Sequence, residues 1–395
     1  MKKIALFICI LITVLTFAGC SSSVPDLVGL TPEKAKATLE EQGFTVVQTD
    51  GYNAGLEDGV VIAQKPAAGE KAEVGGEVKI TVNNKANFGY TYETNGKNAT
   101  ITGIKGGYID VGDIEIPEKI DGYTVTEIGE GAFWSVAGMT SIKLPDTVRS
   151  IGRIAFSDCF ALKTIDFGHN LKTIGDSAFV GCEALEKVEI PYSVQLIGEK
   201  AFAGCEAIKS VKIGASEIGP EAFSSCKGIT ELKLTTNVNI IGKKAFFDCS
   251  SVLEINIPDS VVYIRNNAFE ECSSAQKITV GSGVRVLGEF AFANCNAVRE
   301  LNIKNGLSEI TRCAFASLSS LKNLEIPASV KIIGKNSFQY GSFENVVIQG
   351  GVKTIENEAF LNCFDLVNVT IYNSASSVKI AYDAFPTNFE PRFTK

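Results

Sequence analysis

The side chains best suited to chemistry in this chain are its cysteines, and eight of them keep step. Cys159, Cys182, Cys205, Cys226, Cys249, Cys272, Cys295 and Cys363 each stand three residues beyond a phenylalanine, and Cys313 falls out of that phase. Such a series could form disulfides, hold a metal, or bury its thiols as small apolar groups. Equivalent positions in stacked coils lie about 4.8 Å apart, whereas a disulfide needs β-carbons roughly 3.5 to 4.5 Å apart. The phase therefore predicts a ladder of buried thiols. Zinc needs ligands that converge on one point, which a ladder does not supply.

Little else in the chain could join them in a reaction. The single histidine, His169, sits in Phe167-Gly168-His169-Asn170. That segment reads as a turn between coils, so His169 is expected as a solvated turn residue rather than a general base. No Gly-x-Ser-x-Gly elbow, His-Glu-x-x-His pair, Cys-x-x-Cys pair or Gly-x-Gly-x-x-Gly loop occurs, and Gly334-Lys335-Asn336 lacks the serine or threonine of a phosphate loop. Asp110, Asp113 and Asp121 raise calcium as an option, but their spacing fits no regular loop and a solvated acidic rim is expected. The sequence predicts a non-enzymatic protein with no cofactor and no resident metal.

What positions the cysteines is a repeat. Phenylalanines fall at 133, 156, 179, 202, 223, 246, 269, 292, 315, 338, 360 and 385, in steps of 23 broken by one 21, one 22 and one 25. Around them runs Ile-Gly-x-x-Ala-Phe-x-x-Cys-x-x-Leu-x-x-Ile-x-Ile-Pro-x-Ser-Val with small edits. A fixed period of this length marks a solenoid, and one elongated domain can then hold most of the chain. Within Ile174 to Val194, Val188 and Ile190 alternate as a short inward-facing strand and Leu185 fills the interior from the preceding corner. Pro145, Pro191, Pro258 and Pro327 end such strands, since proline cannot donate to a ladder. The Ala-Phe step suits a tight helical turn. About twelve coils would make a rod on the order of 55 Å long.

This repeat resembles the BspA-like, Treponema-type leucine-rich repeats over nearly all of 128–386. Arg265, Thr311, Glu356 and Ala381 depart from its turn glycine, and Val136, Leu318, Gly341 and Asn388 from its cysteine. The fold class expected is a β-rich leucine-rich repeat solenoid of about twelve turns, preceded by a small α+β domain.

At the front, Lys2 and Lys3 precede an apolar run from Ile4 to Phe17, which reads as a secretory signal over 1–19. Phe17-Ala18-Gly19-Cys20 resembles a bacterial lipobox, with Phe17 in place of the usual leucine. The resemblance implies lipidation of Cys20, a linker over 20–23 and a membrane anchor; a plain signal followed by an incidental cysteine is the alternative. Over 24–84, Val24-Pro25-Asp26-Leu27-Val28-Gly29 leads to a helix capped by Thr31 with Pro32 at its first position. Strands are predicted at 44–47, 60–64 and 78–82. This order, with Gln64-Lys65-Pro66-Ala67-Ala68-Gly69 and Gly75, resembles a PASTA domain. The resemblance implies either binding of peptidoglycan fragments or a compact spacer.

Residues 85–127 are expected to cap the first coil as a degenerate half-repeat, with Glu115-Ile116-Pro117 echoing the later Ile-Pro; 387–395 form a tail. The formal charge is −8 without a long basic run, so no nucleic-acid partner is expected. In each strand the residue between the last two apolar positions must face outward. That row, Lys143, Asp166, Glu189, Lys212, Lys233, Asn256, Thr279, Asn302 and Glu325, is the candidate interaction face, and a second row holds Glu231, Glu254, Lys277 and Glu300. Signs are mixed and aromatics absent from both rows, which argues against a carbohydrate platform and leaves a solvated face or a protein-binding one. The chain thus reads as a surface-exposed, lipid-anchored protein-interaction or adhesion lipoprotein. The alternative is a cell-wall sensor or scaffold.

Overall fold

A computed structural model describes residues 21–53, 56–85, 88–105, 111–387 and 389–394. The signal segment, Cys20, Asp110 and Asn388 lie outside the described residues. The chain divides between Lys85 and Ala86 into two compact units.

In the first unit, β1 (Ser21–Ser23) pairs antiparallel with β4 (Lys71–Glu73), a small pairing the sequence did not announce. Helix α1 spans Pro32–Glu41; the Thr31 hydroxyl accepts the Lys34 N–H, Pro32 opens it and Glu33 lies in its first turn. Strands β2 (Thr45–Gly51), β3 (Val61–Lys65) and β5 (Glu77–Asn83) form one sheet with β5 in the centre, parallel to β2 and antiparallel to β3. Leu27, Ala35, Leu39, Phe44, Val61, Val78 and Ile80 make its core. Gln64 pins the N-terminal strap: its Oε1 accepts the Leu27 N–H at 2.8 Å and its Nε2 donates to the Pro25 carbonyl at 2.9 Å.

The second unit is a solenoid of about 13 turns, one more than the phenylalanines count. The extra coil carries no phenylalanine of the series. Its strands Asn98–Ile104 and Gly112–Glu115 run parallel to Tyr123–Ile128 and Met139–Lys143. The cap is therefore smaller than the stretch 85–127: it is the antiparallel strand Tyr90–Asn95, whose Tyr90 ring meets Phe133 edge-on at 6.4 Å.

Each coil has three sides. On one, short strands such as Thr173–Ile174 and Leu196–Ile197 pair in parallel within an 11-stranded sheet, which also holds the antiparallel Tyr90–Asn95 and Lys119–Ile120, and then in a four-stranded one. Gly175 shows why glycine recurs there: a β-carbon would lie 2.6 Å from the Gly152 carbonyl carbon and 2.7 Å from the Arg153 nitrogen. Where arginine stands instead, at Arg265, its N–H still donates to Ile241 at 3.0 Å and the ladder continues.

The second side carries the phenylalanines. From Phe133 to Phe385 every successive pair stacks face to face, with centroids 4.9 to 5.6 Å apart and planes within 10°. The expected helical turn is replaced by a train of tight turns. Residues two before and two after each ring from Phe133 to Phe360 take positive φ, such as Ser177 (53°) with Gly181 (77°) around Phe179, and Lys244 (55°) with Asp248 (56°) around Phe246. A left-handed residue cannot continue a right-handed helix, so the N–H groups turn to the next coil: Phe156 donates to Ala178 and Phe179 to Ala201.

Alanine precedes nearly every ladder ring because the position is fully buried. Ser337 occupies it before Phe338, at 0% exposure, and its hydroxyl has no hydrogen-bond partner among the described residues. Ser337→Ala is expected to stabilise the solenoid by about 1 kcal/mol, the cost of an unsatisfied buried hydroxyl. Thermal unfolding of the two proteins measures this, and an unchanged or lower midpoint would count against it.

Candidate interaction face

The third side of the coil holds the outward rows. Its strands do not form one sheet; they form four panels of three, three, three and four strands. Within the panels the side chains of the predicted row stand in register: Lys143 opposite Asp166, Glu189 opposite Lys212, Lys212 opposite Lys233, and Asn256, Thr279 and Asn302 in succession. Glu325 is opposite Val347, which continues to Thr370. Lys212 and Thr279 are half-buried and the other seven are exposed. The inward partners Val188, Val211 and Ile278 are fully buried, as strand alternation requires.

Several charges on this face are paired. Lys143 donates to Glu115 at 2.7 Å, Lys187 meets Glu189 at 2.5 Å and Lys277 meets Glu300 at 2.6 Å. The Glu115 hydrogen bond holds Lys143 above the usual lysine range, and the Lys187 hydrogen bond holds Glu189 below the usual carboxylate range. Farther along, neutral amides take over, with Asn345 donating to Asn323 at 3.0 Å and Asn368 to Asn345 at 2.9 Å.

Grooves open at two seams between panels. The first, about 420 Å3, lies between Thr164–Asp166 and Lys187–Ile190, and Asp166, Glu189 and Lys212 line it. The other, about 560 Å3, lies between Glu300–Ile303 and Asn323–Ile326, and Asn302 and Glu325 line it. The structure thus gathers five of the nine row residues at these two grooves. Row periodicity could not show this, because it treats every coil alike.

Tyr192 is a residue the row analysis missed. It rises at the corner beside the first groove, 61% exposed, and its ring belongs to neither outward row. A signal was present: aligned corner positions such as Asp146, His169, Asp259, Ser282, Asn305 and Ala328 carry no tyrosine, and the coil after Tyr192 contains the 21-residue step.

The other chemistry-bearing residues are accounted for. All nine cysteines from Cys159 to Cys363 are free and buried. The eight in phase each donate S–H to the carbonyl of the phenylalanine one coil back, as from Cys159 to Phe133 at 3.1 Å and from Cys226 to Phe202 at 3.0 Å. The thiol therefore fills space and also satisfies a buried acceptor, which phase alone did not reveal. Cys313 stands apart with Phe290, Ala293 and Ala316 in a small satellite cluster. His169 is 89% exposed and its Nδ1 lies 3.0 Å from Asp146, whose carboxyl is held low chiefly by the His169 backbone N–H. Asp113 accepts hydrogen bonds from Thr140 and Ser141, and Asp121 from Tyr92. Among the described residues, no group of three or more metal-ligating side chains converges, and no helix is long and apolar enough to cross a membrane.

A family model described as a BspA type leucine rich repeat region matches in six copies, across residues 110–226, 216–341 and 331–388. The chain belongs to the BspA type leucine rich repeat family. A PASTA domain model matches residues 22–84, so a PASTA domain precedes the BspA-type solenoid in the chain.

Solved structures similar to this BspA-type chain include a leucine-rich repeat protein from Bacteroides ovatus ATCC 8483, at 23% identity over 78% of this chain and 98% of that one, TM-score 0.47. The pneumococcal vaccine antigen PcpA matches at 21% identity over 79% of this chain and 93% of that one, TM-score 0.42. A leucine rich cell surface protein from Faecalibacterium prausnitzii A2-165 matches at 25% identity over 76% of this chain and 97% of that one, TM-score 0.39. No curated protein matches the chain.

Proposed function

We propose that this chain is a surface-exposed, non-enzymatic protein-interaction or adhesion lipoprotein, anchored through Cys20, that meets a protein partner with the strand face of its solenoid. The observation that carries this reading is the division of labour within the coil. The rings, alanines and thiols of the interior repeat almost unchanged, while the outward residues of the strand face stand in register and vary from coil to coil. A surface of that kind can be specific without altering the fold beneath it.

The test combines anchor and face. Cys20→Ala is expected to release the chain from cells. Proximity labelling on intact cells should mark a set of envelope or foreign proteins that is lost when Lys143, Lys212 and Lys233 are together changed to glutamate. Retention on cells by the Cys20 variant would remove the anchor, and an unchanged labelled set would remove the face.

The PASTA match supports a second reading, a wall sensor or scaffold in which 22–84 binds peptidoglycan and the solenoid recruits an envelope protein. Deleting 24–84 separates the two. Loss of wall association favours the sensor; loss of partner labelling on whole cells, with binding retained by the soluble solenoid, favours a spacer.

A further inference from the structure

We infer that the groove at the first panel seam is a binding site for a neutral saccharide. Its shape comes from two local departures. Phe167 stands where neighbouring coils place Leu144 and Ile190, and its buried ring meets Phe179 and Phe202 edge-on at 5.9 and 6.5 Å. At this coil the strand ladder breaks. The coil after Tyr192 is also two residues short, so the corner of that coil has no counterpart of Tyr192, while His169 stands at the equivalent corner of the coil before. At the shortened corner the Asn237 amide donates to two carbonyls, Tyr192 at 3.4 Å and Gly214 at 2.6 Å.

The lining fits that ligand class in three respects. Tyr192 offers an exposed aromatic ring that neither stacks on another ring nor carries a cation among the described residues. Around it stand two carboxylates, Asp166 and Glu189, two ammonium groups, Lys187 and Lys212, of which Lys187 pairs with Glu189, and the imidazole of His169. Carboxylates only accept and ammonium groups only donate, so the set supplies both kinds of partner to hydroxyls, which do both. The charges balance, which favours an uncharged ligand over a polyanion or polycation. The volume, about 420 Å3, lies within the range of small-ligand sites. By contrast, the groove near Glu325 contains no aromatic side chain, so the inference is confined to the first seam.

The labelled full-length chain is to be applied to an array of defined neutral and anionic oligosaccharides, and a retained neutral glycan titrated by calorimetry. Wild type, Tyr192→Ala and Tyr382→Ala are compared; Tyr382 is 95% exposed near the far end of the solenoid and serves as the control. Neutral glycans are expected to bind. Tyr192→Ala should weaken them at least about tenfold, the effect of truncating an aromatic anchor, and Tyr382→Ala should leave them unchanged. Retention of no glycan, retention of anionic glycans alone, or equal binding by Tyr192→Ala overturns the inference. An exposed tyrosine can be truncated without loss of fold, and equal thermal midpoints for the three proteins verify it.

Discussion

The solenoid is expected to unfold steeply as the pH rises past about 9, because its interior contains a column of neutral thiols. Burial pushes Cys159 and Cys363 up to about 12, and Cys205, Cys226 and Cys272 well above the ordinary thiol value. It also raises Cys182, Cys249 and Cys295. In the unfolded chain a thiol ionises near its ordinary value of about 8.5. The stability contributed is therefore fully present below that pH and is lost as the pH climbs towards the folded values. Each thiol removes about 1.4 kcal/mol per pH unit across that window, so eight give a slope of about 11 kcal/mol per unit, comparable with the whole stability of an ordinary domain. Denaturant unfolding followed by circular dichroism under reducing conditions, from pH 7 to 10, measures the slope. Cys226→Ala should reduce it by about one part in eight. A stability that stays level to pH 10 would mean that the thiols are already ionised or exposed.

Phe246→Ala is expected to cost about 5 kcal/mol. The ring is fully buried and stacks on Phe223 at 5.4 Å and on Phe269 at 5.1 Å, so truncation leaves a cavity and ends both stacks. Coils hold each other only through their neighbours, so a hole in mid-ladder should also split unfolding into two transitions, one for each side. At the end of the column, Phe385 is 9% exposed and has one stacked neighbour, Phe360. Phe385→Ala should cost roughly half as much and leave a single transition. Hydrogen exchange on the two variants locates the loss. Equal costs, or a loss under about 2 kcal/mol at Phe246, would refute the view that the column is one cooperative core.

Both expectations depend on features that could be read from residue spacing before any coordinates. A period of 23 with phenylalanine, alanine and cysteine in fixed phase admits one arrangement in which all three are buried, namely stacked coils, and the rings do stack. Pro191 and its equivalents marked the strand ends because a missing N–H has the same consequence in every coil. The outward row was legible for a related reason: strand alternation has a period of two, so burying Val188 and Ile190 forces Glu189 outward.

The turn geometry was harder to read, since Lys, Asp and Ser at the left-handed positions carry no glycine signal; the coil-to-coil hydrogen bonds impose that conformation. The role of the thiols as donors was equally silent, because their acceptor lies one coil back, 24 to 26 residues away.

The sequence by itself determined the solenoid, its interior and the direction of each outward side chain, because those follow from a repeat that every coil shares. Only the tertiary structure decided where the strand face breaks into panels, which row residues meet at a groove and what Tyr192 stands beside. Those features come from departures such as Phe167 and the shortened coil after Tyr192, and a departure acts on its neighbours in the stack, which linear spacing does not display.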